Sequence, residues 1–145
     1  MSAVALLARR DFASGELRQK LESEGYNASV VSAVVADLVG ERALDDGRYA
    51  ENYVAYHAGR GQGPIRIGAD LRALGVASDL IEAALASGPD WRQLARDVRL
   101  RKFGAESPED WTERTRQARF LQYRGFSSDH IRAATGADFD PDSQT

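Results

Sequence analysis

Three glycines stand fifty residues apart, at Gly25, Gly75 and Gly125, and each is followed by an apolar or aromatic side chain: Tyr26, Val76 and Phe126. A fixed interval of this size marks a repeat architecture and restricts the chain to copies of one supersecondary unit. The flanks keep the register. Leu21, Leu71 and Leu121 lie four residues before the glycines, Val31, Ile81 and Ile131 six residues after them, and Val34, Ala84 and Ala134 three residues further on. The copies match in pattern, not in identity.

Apolar residues between these anchors recur at helical spacing, as in Leu17 and Leu21, then Val30, Val31, Val34, Val35 and Leu38, and no strict alternation of period two competes with it. Each glycine therefore falls where a helix ends, a position that favours a left-handed backbone. Asn27, Ser78 and Ser127 are candidate caps of the helices that follow.

A lead helix precedes each pair: Ser2 to Arg10, a helix capped by Asp45, and residues 90–103 with Trp91, Leu94, Ala95 and Val98 on one stripe. Breaks fall at Phe12 to Gly15, at Gly61 to Pro64 and at Gly104 to Pro108, with both prolines suited to a first helical turn. The expectation is an all-α chain of three tandem three-helix repeats, helix-turn-helix-like units spanning residues 1–44, 45–89 and 90–137, with a polar acidic tail over 138–145. Units this small bury too little apolar surface to stand alone, so neighbours should pack into an elongated or curved array.

Composition excludes several classes. Hydrophobic residues at 43% and charged residues at 28% suit a folded chain. The absence of cysteine excludes disulfides, a thiolate nucleophile and cysteine zinc sites. No apolar run approaches the ~18 residues a membrane span needs, and the start lacks a basic leader, so a cytoplasmic, non-membrane protein is expected. The net charge of −3 is uneven: residues 1–47 carry five basic and eight acidic side chains, residues 90–137 ten and seven. An acidic chain is no general DNA-coating protein, but its third section can meet an acidic surface.

No catalytic constellation is found. His57 and His130 lack a second ligand at helical spacing, and the glycine-rich run Gly59 to Gly63 lacks the lysine and hydroxyl of a phosphate-binding loop. Asp45 and Asp46 stand at a helix start, where capping accounts for them. The expectation is no enzyme, no metal and no cofactor. Basic residues say more: Arg92, Arg96 and Arg99 share one helix face, and Arg116, Arg119 and Tyr123 share another, opposite Gln117 and Leu121. Solvated faces balanced by nearby acids are the ordinary explanation; two stripes in one repeat favour a binding surface.

Four segments carry a resemblance. Leu6 to Phe12 with Glu16, Leu17, Lys20, Leu21, Gly25 and Tyr26, then Leu44 to Glu51, then Arg60 to Ile67 with Leu71, Gly75 and Val76, and finally Arg119 to Ser127 with Ile131 resemble, in order, the signatures of the RecX family. The stretch before Arg114 in the third unit shares only the helix pattern. The resemblance implies a monomeric regulator that binds the RecA recombinase filament on single-stranded DNA and inhibits its ATPase, recombinase and co-protease activities, with weak direct DNA binding at most. It implies no cofactor. The residues taken to meet the partner are Arg9, Arg10, Lys20, Arg48, Tyr49, Arg60, Arg66, Arg116, Arg119, Tyr123 and Arg124. The alternatives are a sequence-independent DNA-binding module of helix-turn-helix type and a helical scaffold for an unrelated partner.

Overall fold

A computed structural model describes residues 2–136. The tail expected over 138–145 lies outside the described residues. Among the described residues there are nine α-helices and no strand: α1 (Ala3–Arg9), α2 (Ser14–Ser23), α3 (Ala28–Gly40), α4 (Asp46–Gly59), α5 (Pro64–Ala73), α6 (Ser78–Ala86), α7 (Trp91–Phe103), α8 (Trp111–Tyr123) and α9 (Ser128–Thr135).

The three glycines end α2, α5 and α8 in the same way. All are left-handed, with φ of 97°, 85° and 95°. The N–H of Tyr26, Val76 and Phe126 donates to the carbonyl of Leu21, Leu71 and Leu121 at 3.3, 3.1 and 3.2 Å, and each glycine N–H donates one residue further on, to Glu22, Arg72 and Gln122. This is the Schellman arrangement, which satisfies carbonyls that a helix end leaves open. The periodic leucines are thus both core residues and the acceptors that close each turn.

Helices pack within their own set of three. Leu6, Leu17, Leu21, Val31, Val35 and Leu38 form one core, Val54, Ile67, Leu71, Val76 and Ile81 a second, and Val98, Leu121, Phe126 and Ile131 a third. Ala13 belongs to the second core although it precedes α2, and Trp91 and Leu94 pack against both the second and the third. At its junction with α4, α2 is held by Asp46, whose carboxylate accepts from the Ser14 N–H and hydroxyl, both at 2.7 Å. Asp45 is the residue that caps α4, accepting from the Arg48 N–H.

Glycines also form the seams between sets. Gly15, at the start of α2, lies against the turn after α5: a Cβ there would stand 3.2 Å from the Gly75 Cα. Gly63, at the start of α5, lies against the turn after α8, where a Cβ would come within 2.5 Å of the Gly125 carbonyl carbon. Gly63 N–H donates to the Arg124 carbonyl at 2.7 Å and Ile65 N–H to the Gly125 carbonyl at 2.9 Å. Backbones approach this closely only where no side chain intervenes.

Several local expectations change. Ser78 is the first residue of α6, and Ala77 holds the cap position with no side-chain bond. Asn27 and Ser127 do cap α3 and α9. Pro64 opens α5, whereas Pro108 lies before α8, because Asp110 accepts from the Glu113 N–H and sets the start at Trp111. Arg10 is extended, outside α1. Tyr26 is exposed where its equivalents Val76 and Phe126 are buried. Here α1, with 7 residues against 14 and 13 in α4 and α7, leaves an apolar groove lined by Val4, Tyr26, Val30 and Val34.

Candidate functional site

The outer face of α8 presents an interface-like surface. Helix periodicity puts Gln117, Ala118 and Leu121 into the core. Trp111 is left 65% exposed and Tyr123 86% exposed. Trp111, Thr112, Thr115, Arg116 and Arg119 line an open groove of about 440 Å³. Exposed tryptophan beside arginine is the composition of an interface anchor. Trp111 was not among the residues the sequence singled out for binding; its spacing of four and eight residues from Thr115 and Arg119 was the available signal. Arg116 is already engaged: its guanidinium forks onto Glu113 at 2.7 and 3.0 Å and lies 5.0 Å from the Phe103 ring centroid. Hydrogen bonds from Arg116 and then Gln117 hold the Glu113 carboxyl down at about 2.

The expected basic stripe on α7 is partly engaged within the repeat. Arg92 pairs with Asp129, and Arg96 donates to the Ala133 carbonyl at 3.3 Å, so both tie α7 to α9. Arg99 is 8% exposed and points inward, donating to Gln117 at 2.9 Å and to the Glu106 carbonyl. The three residues share a side of the helix: Arg99 is buried within the third repeat, whereas Arg92 and Arg96 stay exposed at the edge of its contact with α9.

Arg60 and Arg124, widely separated in sequence, come together where α4, α7 and α8 end, and Arg101 and Lys102 join them around a cavity of about 220 Å³. The last two were not foreseen, although the run Arg99 to Lys102 was visible. Near the first junction, Arg10 pairs with Glu16 at 2.9 Å and lies 3.7 Å over the Phe12 ring. Burial, then the Glu16 charge, pushes the neighbouring Tyr49 phenol up to about 12, so it stays protonated. Lys20 pairs with Glu24 at 3.8 Å. Arg9, Arg48 and Arg66 are exposed and line neither the α8 groove nor the junction cavity. The expected binding residues therefore divide among several places. Among the described residues, no group of three or more histidine, aspartate or glutamate side chains could hold a metal, and no helix is long and apolar enough to cross a membrane.

The fold defines a tandem array of three-helix units, and comparison with known proteins makes this particular. Residues 1–38, 45–85 and 90–135 match the models of the first, second and third three-helix domains of RecX. The regulatory protein RecX of Halorhodospira halophila is 47% identical over 137 residues, covering 94% of this chain and 85% of the relative, and that of Vibrio vulnificus is 40% identical over 92% and 88%. Among solved structures, RecX from Lactobacillus salivarius superposes with a TM-score of 0.79 at 21% identity, covering 91% of this chain and 88% of that one. The chain belongs to the RecX family of regulatory proteins.

Proposed function

We propose that this protein regulates the RecA recombinase by binding its filament on single-stranded DNA, lowering ATP hydrolysis, strand exchange and co-protease activity, and that it does so as a cytoplasmic monomer without performing chemistry. The units are taken to divide after residues 44 and 89. Family membership across all three domains carries the reading. A ligand with different affinity for two filament states shifts their balance without a catalytic group. Repeats in series can touch successive protomers at once, which multiplies weak contacts. The α8 face, with Trp111, Arg116, Arg119 and Tyr123, is the surface assigned to the partner.

The test is the DNA-dependent ATPase of RecA with this protein titrated in. Wild type should lower it, and the double variant W111A/R119A should need at least about tenfold more protein for half-inhibition, because exposed aromatic and arginine anchors dominate interfaces. Its melting temperature should stay near that of wild type, since it removes exposed side chains. No inhibition by wild type would overturn the regulator reading. Equal inhibition by a folded variant would move the contact away from α8. Direct DNA binding is favoured by a separate observation, the cation cluster at the second junction.

A further inference from the structure

Four cations converge where three helices end. Arg60 caps the C-terminus of α4, Arg101 and Lys102 occupy the last turn of α7, and Arg124 caps α8. With Gly61, Val98 and Phe120 they line the junction cavity, and no carboxylate is among its lining residues. None of the four forms an ion pair with a described residue. Lys102 and Arg124 both lie near the Phe120 ring, at 5.5 and 5.4 Å from its centroid, and Arg60 bonds the Tyr56 hydroxyl at 3.2 Å.

Helix dipoles explain part of this gathering. Each C-terminus carries roughly half a negative charge, so three ends offset about 1.5 of four positive charges. The remainder is an unneutralised concentration of positive charge on a chain whose net charge is −3. Such a concavity suits an anion. Its cationic residues stand at three helix ends around one cavity, an arrangement that can offer donors to the several oxygens of a phosphate. Val98 and Phe120 offer an apolar wall beside it, fit for the sugar of a strand.

We propose that this cavity binds phosphate groups of a nucleic-acid backbone, with Arg60, Arg101, Lys102 and Arg124 as its ligands. It spans the second and third repeats, so strand binding and the packing of these repeats are linked. The site deepens the regulator reading but is tested apart from it, on bare strand with no recombinase present.

The experiment is fluorescence anisotropy of a labelled twelve-residue oligothymidylate titrated with full-length protein at several salt concentrations. R101E/K102E should weaken binding at least about tenfold at low salt and flatten the salt slope by about 1.4, the loss of two single-strand phosphate contacts. The neutral pair R101Q/K102Q, which spares folding further, should weaken it in the same direction. R18E/R72E changes net charge equally at exposed helix positions outside the cavity lining and should have a much smaller effect. A matching loss in R18E/R72E and R101E/K102E would overturn the site, because charge alone would then account for binding. Competition by poly-glutamate as effective as unlabelled strand at equal charge would overturn it in favour of an acidic protein surface. Competition by pyrophosphate at lower phosphate concentration than the strand would overturn the strand assignment in favour of a free phosphate ligand.

Discussion

Replacing Gly63 by alanine isolates the seam between the second and third repeats. Gly63 has φ −89° and ψ 169°, which alanine adopts freely, so the cost of the substitution lies in contact alone. The added Cβ would stand 2.5 Å from the Gly125 carbonyl carbon and oxygen and 2.6 Å from the Phe126 nitrogen. Those are backbone atoms held in a helix-terminal turn, and restoring ordinary contact requires about 1 Å of separation. That displacement would stretch the bonds from Gly63 N–H to Arg124 and from Ile65 N–H to Gly125, now 2.7 and 2.9 Å. Two weakened bonds at about 1 kcal/mol each, with overpacking of about 1–3 kcal/mol, outweigh the ~0.5 kcal/mol gained by restricting the unfolded chain. The net loss is about 3 kcal/mol, or roughly 9 °C in melting temperature for a chain of this size. Gly25 is the comparison: its φ is 97°, and a Cβ there meets nothing within 4 Å. G25A should therefore cost only the left-handed strain of about 1 kcal/mol, roughly 3 °C. Thermal and urea unfolding by circular dichroism measure both. If G63A melts no lower than G25A, the seam is not a close-packed backbone contact and the reasoning fails.

Two further outcomes are expected. Gln117 is 3% exposed and accepts from the buried Arg99, so Q117L should leave that cation with the Glu106 carbonyl alone and cost about 2 kcal/mol or more in urea unfolding; R99M should cost less than Q117L, and the reverse order would count against an under-partnered buried charge. Burial, ahead of nearby charges (Asp70, Arg60 and Arg66 at His57; Asp129, Arg92 and Asp90 at His130), lowers both histidines from the ordinary 6.5. The unfolded chain then takes up protons first, so their contribution is complete above about pH 6.5 and is lost as pH falls below it toward the folded values. Melting temperature should drop between pH 7 and 5.5, and H57Q/H130Q should flatten that drop; an unchanged profile in the double variant would show that other groups cause it.

The sequence by itself determined the repeat, the helix ends and most of each core. The fifty-residue interval of Gly25, Gly75 and Gly125 and the leucines four residues before them are local signals, and Schellman closure is a local structure that needs nothing beyond its own turn. Asp45, Asn27 and Ser127 were legible as caps for the same reason. Periodicity also placed Leu121 inward and Arg116 and Tyr123 outward. Tertiary structure decided what those local units meet. The Arg92, Arg96 and Arg99 face has the helical spacing of a solvated stripe, but packing of α8 buries Arg99, and α9 supplies surface partners to the exposed Arg92 and Arg96. Gly15 and Gly63 read as loop residues until the neighbouring turn is brought against them. Arg60, Arg101, Lys102 and Arg124 form one cavity because three helices end at the same point in space. Helix caps and periodicities are fixed by interactions within a few residues; the direction in which one repeat leans on the next depends on backbone contacts between segments about sixty residues apart, which no local pattern encodes.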